Sequence, residues 1–368
     1  MSTLSLHELH AGLGARFSEV RGEEVVLHYG DWLAEHSALR DSVGVIDLSF
    51  RGRLCLLGAD RQNFLNGQVT NNVKDLKMGD GCYAAVITAK GKMQTDLNVY
   101  SLENELLLDF EPGLFEQVKQ RLEKYIVSED VQVVDVAPHY GLLSVQGPKS
   151  ADVQRAAGIL PADSSSKTLA AGSFSSIKHE TLGEIYLMNQ PRTGSVGFDL
   201  FVPAQSLGTV ADKLIAAAKH LGGRVCGWEA METARIEAGI PRFGADMDET
   251  NLPPEAGLDA RAISYTKGCY IGQEVIARIR TYGQVAKALR GLRLADDLKT
   301  LPVKGDKLFL GEKEIGYITS AIASPIFKTN IALGYVRREA NKIGTQLILK
   351  TSDVESSVKI VELPFDLK

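Results

Sequence analysis

The sequence has few cysteines, and none of them is arranged as a metal site or as part of a disulfide framework. The chain of 368 residues contains four cysteines, Cys55, Cys82, Cys226 and Cys269, with no Cys-x-x-Cys pair and no histidine at metal-ligand spacing. Cysteines scattered in this way are usually free thiols. We therefore expect no metal ion or metal cluster held by this chain alone, and we interpret all but Cys269 as core residues.

The chain also lacks a long apolar run, a basic N-terminal region and a strong excess of either charge. No apolar stretch reaches the length of about eighteen residues that a membrane helix needs, and the N-terminus does not have the pattern of a targeting segment. The formal net charge is only −5, so no basic surface is available to attract nucleic acid. We expect a cytoplasmic protein that binds neither membranes nor, in a stable way, nucleic acid.

The length predicts two or three domains, and the apolar patterns predict both helices and strands. Apolar periodicity predicts helices at residues 31–40, 112–126, 204–220 and 228–238, the first of them capped by Asp31. Short apolar runs predict strands at residues 43–48, 54–57, 83–88 and 97–102, the last two joined by a hairpin loop. We interpret residues 163–173 as a surface loop. After Leu289, short strand-like runs predict an all-β tail.

The segment at residues 267–274, Lys-Gly-Cys-Tyr-Ile-Gly-Gln-Glu, places a cysteine between a cation, two glycines and the start of a predicted helix. Backbone N–H groups at a helix N-terminus favour negative charge, so we expect the pKa of the Cys269 thiol to be lowered. The alternative is that Cys269 packs in a tight turn whose glycines are needed for the backbone. The residues that we assign to this octet motif are Lys267, Gly268, Cys269, Tyr270, Gly272, Gln273 and Glu274.

The octet resembles the signature of the YgfZ-type proteins, the branch of the glycine cleavage T-protein family that is linked to iron–sulfur proteins. Similar segments at residues 17–73, 235–240 and 253–258 extend the resemblance over nearly the full chain. It implies an α+β fold, with two interleaved α+β domains and a C-terminal β-barrel around a central folate-binding opening. The implied domains are residues 1–48 with 138–240, residues 49–137 with 241–283, which carry the octet motif, and residues 284–368, the barrel.

The same resemblance implies a binding site for tetrahydrofolate or a derivative. Tyr83 matches a folate-side tyrosine whose ring could stack on the pterin, and Arg235 matches an arginine near the ligand. Where the aminomethyltransferases of the family have two adjacent aspartates, this chain has Thr95 and Asp96. The remaining carboxylate could hold a ring N–H or accept a proton. Judged by residue type alone, Asp96 would be a solvent-facing acid at a strand end.

The resemblance therefore assigns catalytic roles to Cys269 and Asp96, and folate-binding roles to Tyr83, Asp96 and Arg235. One segment departs from the family pattern. At residues 191–199, Arg192 stands where the enzymes have a tyrosine, and Ser195 stands where they have a glutamate that grips the pterin. A site that loses a polar contact discriminates its ligand less well. We expect weaker folate binding and little or no glycine-cleavage activity.

Three functions are compatible with these residues. The main hypothesis implied by the resemblance is a tetrahydrofolate-binding protein that supports assembly or repair of iron–sulfur clusters in client enzymes, including enzymes that modify transfer RNA. Its partners would be folate and the iron–sulfur client proteins. The first alternative is a folate-dependent aminomethyltransferase, and the second is a folate-gated scaffold that catalyses nothing. Because function resides in the site and not in the fold, the fold alone cannot separate the three.

Overall fold

The computed structural model describes residues 2–160, 169–170, 172–352 and 355–366, so most of the surface loop predicted at residues 163–173 lies outside the described residues. The described chain is a mixed α+β protein with a closed six-stranded β-barrel at its C-terminal end, which confirms the predicted fold class. It forms two compact units, one of residues 1–84 and 96–234 and the other of residues 85–95 and 235–368. The three-domain boundaries implied by the resemblance stay a prediction.

The first unit contains helices and strands that alternate along the chain. Its helices are α1 (His7–Gly12), α2 (Trp32–Asp41), α3 (Arg61–Gln68), α4 (Phe115–Glu123), α5 (Ser150–Ala156), α6 (Leu207–His220) and most of α7 (Trp228–Glu237). Its strands are β1 (Arg16–Val20), β2 (Glu23–His28), β3 (Gly44–Asp47), β4 (Gly52–Leu57), β7 (Leu106–Phe110), β8 (Gln132–Asp135), β9 (Tyr140–Gln146), β10 (Phe174–His179), β11 (Gly183–Asn189), β12 (Gly197–Pro203) and β13 (Arg224–Val225). The remaining two, β5 (Gly81–Ile87) and β6 (Met93–Ser101), form a hairpin whose tip, residues 85–95, belongs to the second unit.

These strands form three sheets. The order in the largest is β10-β11-β12-β9-β3-β13, with β13 parallel to β3, and the second has the order β5-β6-β7-β4-β8. Strands β1 and β2 form a separate antiparallel pair. Successive side chains of a strand point to opposite faces. Accordingly, Val45 of β3 packs with helices α5 and α6 on one face of the largest sheet, and Ile46 packs with Cys55 and Leu107 of the second sheet.

The second unit is built around the barrel. It contains α8 (Asp259–Ala262), α9 (Gln273–Tyr282), and strands β14 (Lys287–Leu294), β15 (Lys307–Leu310), β16 (Lys313–Ser324), β17 (Thr329–Arg337), β18 (Gln346–Lys350) and β19 (Glu355–Val361). Barrel closure joins the first strand to the last, with Gly291 opposite Val361. A closed barrel has no unpaired sheet edge. Its core contains side chains with no exposed surface, among them Leu292, Leu308, Ile318, Leu349 and Ile360.

Within the described residues, no helix is long and apolar enough to cross a membrane.

The predicted cap of the first long helix provides a test of the local fold. The Asp31 side chain accepts a hydrogen bond from the backbone N–H of Ala34 at 3.0 Å, which confirms the cap predicted from the sequence. We expect Asp31→Ala to lower the free energy of unfolding by about 1 kcal/mol, because a helix N–H loses its partner. Urea unfolding followed by circular dichroism measures the change.

The matched control is Asp212→Ala, which removes an exposed aspartate from the middle of α6. Alanine is the best helix former, so the control should unfold at the same urea concentration as the unchanged protein or at a higher one. Equal unfolding curves for both variants would contradict a stabilising cap at Asp31.

Candidate functional site

The β5–β6 hairpin brings two of the predicted folate residues together. The Tyr83 hydroxyl donates a hydrogen bond to the Oδ2 atom of Asp96 at 2.6 Å. Tyr83 is half-buried, and Asp96 is only 8% exposed. The alternative that Asp96 is a solvent-facing acid is therefore wrong, because the carboxyl group lies inside the first unit with a phenol as its hydrogen-bond donor.

Polar residues form two rows across strands β6, β7 and β4, on the face of the sheet that includes Asp96. In one row, the register places Asp109 opposite both Asn98 and Arg53. The last pairs of the register are those of Phe110 with Leu97 and Gly52, and continuing it by one residue places Glu111, two residues after Asp109, opposite both Asp96 and Arg51. Side chains directly opposite in an antiparallel pair share a face and lie about 5 Å apart at their Cβ atoms. A buried carboxyl, Glu111, thus lies beside Asp96.

The guanidinium group of Arg51 forms ion pairs with two carboxylates on this face, those of Asp109 and Glu111. Its Nε and Nη2 atoms donate to the two carboxylate oxygens of Asp109, at 2.7 Å and 3.1 Å, and its Nη1 atom donates to Glu111 Oε1 at 2.5 Å. Asp109 also accepts from Asn98 Nδ2 at 2.9 Å. Arg51, Asp109 and Glu111 are all buried. Such paired and bidentate contacts are what allow charges to stay inside a protein.

The two aspartates on this face differ in the pKa that their surroundings impose. Burial raises the pKa of Asp96, the negative charge of Glu111 raises it further, and the Tyr83 hydrogen bond and Arg51 lower it, with a resulting pKa of about 6. Burial also acts to raise the pKa of Asp109, but the charges of Arg51 and Arg192 outweigh burial and hold that pKa well below its usual range. Asp109 is therefore a fixed negative charge, and Asp96 can exchange a proton near neutral pH.

The segment that departs from the family pattern lies in the same unit, between β11 and β12. Arg192 donates through Nε to Asp199 at 2.8 Å and through Nη2 to Asp109 at 2.9 Å. The residue that replaces the family's tyrosine thus joins two buried carboxylates. Ser195 is half-buried in the following turn. The departure therefore adds a charge to the ion-pair network and leaves a short side chain where the enzymes have a glutamate.

Arg235 lies in the second unit and is buried, with 4% of its surface exposed. Its Nη1 atom contacts Asp246 Oδ2 at 2.5 Å and the carbonyl of Ile240 at 3.1 Å, and its Nη2 atom donates to the Ser320 hydroxyl at 3.2 Å. The other oxygen of Asp246 accepts from Thr319 and Ser320. The guanidinium therefore links α7 to barrel strand β16, and its predicted contact with folate stays a prediction.

The octet motif also lies in the second unit, where it packs against the hairpin tip, residues 85–95. Gly272 has φ +81°, and a Cβ atom there would lie 2.4 Å from the carbonyl oxygen of Thr88, so only glycine fits. Across the same contact, Gly91 of the hairpin faces Val275 of α9. These close approaches explain both glycines by packing. They agree with the turn interpretation of the motif.

The other side chains of the octet have separate positions. The Lys267 Nζ atom lies 4.9 Å from the centre of the Tyr270 ring, a cation–π distance, and both residues are buried. Gln273 Nε2 donates to the carbonyl of Gly268 at 3.4 Å. Glu274 forms an exposed ion pair with Arg278. Cys269 follows Gly268 and is exposed.

The remaining cysteines have different environments. Cys55 and Cys226 are buried, as predicted for core residues, and burial raises the pKa of both thiols well above the usual value. Cys82 is half-buried, so it is less enclosed than a core residue. Within the described part of the chain, no group of three or more His, Cys, Asp or Glu side chains could hold a metal ion.

Tyr83 and Asp96 were predicted from the sequence, but three residues that surround them, namely Arg51, Asp109 and Glu111, were not. A signal for the acids is present in the sequence, because Asp109 and Glu111 alternate with Phe110 directly after a Leu-Leu-Leu run. Charged side chains at alternate positions of a buried strand require partners on one face. Sequence alone does not identify those partners.

Comparison with known proteins agrees with this architecture. A family model for the GCVT N-terminal domain matches residues 6–267, and a model for the glycine cleavage T-protein C-terminal barrel domain matches residues 287–366. This chain belongs to the glycine cleavage T-protein family. An aminomethyltransferase of Corynebacterium jeikeium is 30% identical over 98% of this chain and 97% of its own length. One of Halalkalibacterium halodurans is 28% identical over 98% and 96%.

A solved structure gives the same result. The glycine cleavage system aminomethyltransferase T from Bartonella henselae superposes with a TM-score of 0.89 and 25% identity, over 100% of this chain and 98% of that chain. The expectation that this protein supports iron–sulfur cluster assembly or repair is therefore wrong, because full-length relatives are named aminomethyltransferases and favour that alternative. Membership of the YgfZ-type branch is not confirmed, and iron–sulfur client proteins are not supported as partners.

The pKa of Asp96 predicts a pH-dependent effect on stability. A carboxyl group whose pKa is raised on folding, here to about 6, binds a proton more tightly in the folded state, so stability falls as pH rises from about 4 to about 6. Asparagine cannot ionise and avoids this loss. We expect the free energy of unfolding of Asp96→Asn, relative to the unchanged protein, to be higher at pH 8 than at pH 4.5, by about 2 kcal/mol. Denaturant unfolding at the two pH values measures the difference.

Asp109→Asn is the control with the opposite sign. The pKa of Asp109 is lowered, so its carboxylate stabilises the fold above about pH 4, and removing its charge leaves Arg51 and Arg192 undercompensated. This variant should lose stability at pH 8. If Asp96→Asn has the same relative stability at both pH values, Asp96 does not have the raised pKa.

The exposures of the four cysteines predict the order of their reactivity. Only Cys269 is exposed among them, while Cys55 and Cys226 are buried with raised thiol pKa values. Because the thiolate is the reacting species, Cys269 should react with a thiol reagent at least about tenfold faster than either buried thiol in the folded protein. Mass spectrometry of partially alkylated protein measures the rates. Equal rates for Cys269 and Cys55 would contradict the exposed position of Cys269.

Proposed function

We propose that this protein is a folate-dependent aminomethyltransferase, which transfers the one-carbon unit of an aminomethyl donor to tetrahydrofolate. The observation that carries the proposal is the buried Asp96 carboxyl, which is held by the Tyr83 hydroxyl and has a pKa of about 6. An acid–base group works best when its pKa lies near the working pH. The names of full-length relatives support the same reaction class.

Tetrahydrofolate is the expected acceptor, in agreement with the cofactor predicted from the sequence. Aminomethyltransferases of this family use tetrahydrofolate as the one-carbon acceptor, and when bound it would supply the amine nitrogens that take up the carbon. The residues at the hairpin fit such a ligand. Tyr83 offers a half-buried ring on which a flat pterin could stack, and Asp96 offers a carboxyl that can hold an N–H group.

The proposed chemical role of Asp96 is proton transfer. Each of the two folate nitrogens that bond to the carbon loses a proton, and the amine and the carrier group that leave the same carbon each gain one. At pH 7 a carboxyl group with a pKa of about 6 is mostly ionised, so it can take the first proton and is weak enough as a base to release it again. The Tyr83 hydroxyl fixes the orientation of the carboxylate by donating to Oδ2.

Ser195 affects binding more than chemistry in this proposal. Because a serine replaces the glutamate that grips the pterin in related enzymes, the site lacks one charged partner for the ring. A lost contact that is equal in the ground state and the transition state raises KM without changing kcat. We therefore propose that Ser195 weakens folate binding, which raises KM, and does not lower kcat.

Arg235 and Cys269 stay proposed site residues in the second unit. The Arg235 guanidinium is held by Asp246, Ile240 and Ser320, so its proposed contribution to the folate site is that of a charge already fixed in place. Cys269 is an exposed thiol with no assigned step in aminomethyl transfer.

The direct test is formation of methylene-tetrahydrofolate from tetrahydrofolate and the aminomethyl-loaded partner protein of glycine cleavage. We expect turnover, and we expect Asp96→Asn to lower kcat by about 10² to 10⁴, the usual contribution of an acid–base group. Tyr83→Phe should cost less, because it removes a hydrogen bond to the carboxylate and keeps the ring. Stopped-assay chromatography of the folate product measures these rates.

Two results would contradict the proposal. If the protein binds tetrahydrofolate in calorimetry but gives no product at saturating donor, the folate-gated scaffold replaces the aminomethyltransferase. If Asp96→Asn, folded by circular dichroism, turns over at the unchanged rate, then Asp96 is not the acid–base group.

A further inference from the structure

Glu111 is a buried carboxyl next to Asp96 to which the proposed function gives no role. It lies directly after β7 and is 5% exposed. The pairing of Leu97 with Phe110 places it opposite Asp96 when the register is continued by one residue. Two carboxyl groups on one buried face repel each other when both are ionised, so at least one of them needs a compensating cation or a proton.

Glu111 is paired directly with a cation, Arg51. Arg51 donates through Nη1 to Glu111, at 2.5 Å, and through its other two nitrogens, Nε and Nη2, to Asp109. Asp109 receives a second guanidinium from Arg192, at 2.9 Å, and Arg192 is in turn paired with Asp199. Arg51 is therefore shared between Glu111 and an aspartate that is already compensated. These contacts fix the Glu111 carboxyl group in place and set a positive charge beside it.

The groups around Asp96 differ in their effect on its charge. From β5, the Tyr83 hydroxyl donates to the carboxylate and favours the ionised form, and from the start of β4 the Arg51 cation does the same at longer range. From the end of β7, Glu111 opposes ionisation. Asp109 and Arg192 face the same side of the sheet as an ion pair of opposite charges. Glu111 is the charged neighbour whose removal would shift the balance towards the ionised form.

We propose that Glu111 is a positioning residue for the transfer reaction, whose fixed negative charge across the strand pair makes Asp96 basic enough to carry a proton near neutral pH. The expected effect of Glu111 on the transfer rate rests on the proposed function, whereas its expected effect on the titration of Asp96 rests on the fold alone. Burial and Glu111 act on Asp96 in the same direction. Burial of a hairpin residue is a feature of the whole unit, whereas Glu111 is one side chain that can be changed alone.

A purely structural role is the alternative. Glu111 also satisfies Arg51, and a residue that only satisfies a buried guanidinium would affect stability without affecting the titration of Asp96. The two roles therefore separate in a measurement of protonation. Stability alone does not separate them.

The test is the titration of Asp96 in protein labelled with carboxyl-¹³C aspartate, with Asp96→Asn used to assign the NMR signal. In the unchanged protein the Asp96 signal should have its midpoint near pH 6. In Glu111→Gln, which keeps the shape and a hydrogen-bond acceptor for Arg51, the midpoint should fall by about one pH unit or more. Glu111→Asp retains the charge and should keep the midpoint within a few tenths of a unit of the unchanged value.

Glu116→Gln is the matched control, because it removes the same charge from an exposed position on α4 in the same unit. It should leave the Asp96 midpoint in place. In the transfer assay, the acid limb of the kcat/KM profile should move with the NMR midpoint, to lower pH in Glu111→Gln only. If no transfer is detected with any variant, the proposed function fails, and the NMR midpoints still decide the role of Glu111.

Three outcomes would overturn the proposal. One is an Asp96 midpoint that is the same in Glu111→Gln and in the unchanged protein. Another is an equal shift in Glu116→Gln, which would indicate a general charge effect. The third applies if Glu111→Gln fails to fold, and it is measured on the unchanged protein labelled with carboxyl-¹³C glutamate. The proposal requires Glu111 to remain ionised from pH 5 to 8, so titration of the Glu111 signal in that range would contradict it.

Discussion

The ion pairs made by Arg51 are the interaction on which the site depends. One guanidinium joins the start of β4 to the end of β7, and through Asp109 it is connected to Arg192 and the segment before β12. Each of these charges is acceptable inside the unit only because the others are present, and removal of one partner of a buried pair typically costs about 3–5 kcal/mol. The position of the loop that departs from the family pattern is therefore set by the same charges that surround Asp96.

Local structure was largely predictable from the sequence, whereas the long-range pairing was not. The helix after Asp31 and the strands of the C-terminal barrel follow from the spacing of apolar residues, because one buried face requires that spacing. Barrel closure depends on Gly291 meeting Val361, two residues that no local pattern connects. Register is set by all the buried side chains of both strands together. Single-strand patterns contain no information about the partner.

In the candidate site, too, single residues could be predicted from the sequence, whereas contacts between strands could not. Tyr83 and Asp96 were recognised by resemblance, and the structure joins them by a hydrogen bond. Glu111 and Arg51 were missed because they act across strands, and their chemistry appears only when β6, β7 and β4 are aligned. The resemblance carried by the octet motif led to the iron–sulfur hypothesis, which the aminomethyltransferase relatives contradict. The packing of Gly272 against the hairpin tip explains that glycine by backbone geometry.

One part of the candidate site lies on paired strands and the other lies in a turn, so substitutions in the two parts have different effects. Asp96 lies on β6 and Glu111 directly after the neighbouring β7, so the pairing of these two strands sets how close the two carboxyl groups lie. Ser195 lies in a turn, where a substitution alters one ligand contact and leaves the sheet untouched. In the proposed function, a change in that turn therefore alters folate binding and leaves the proposed proton transfer at Asp96 in place. The glutamate that the resemblance implies and this chain lacks thus bears on the proposed binding and not on the proposed reaction.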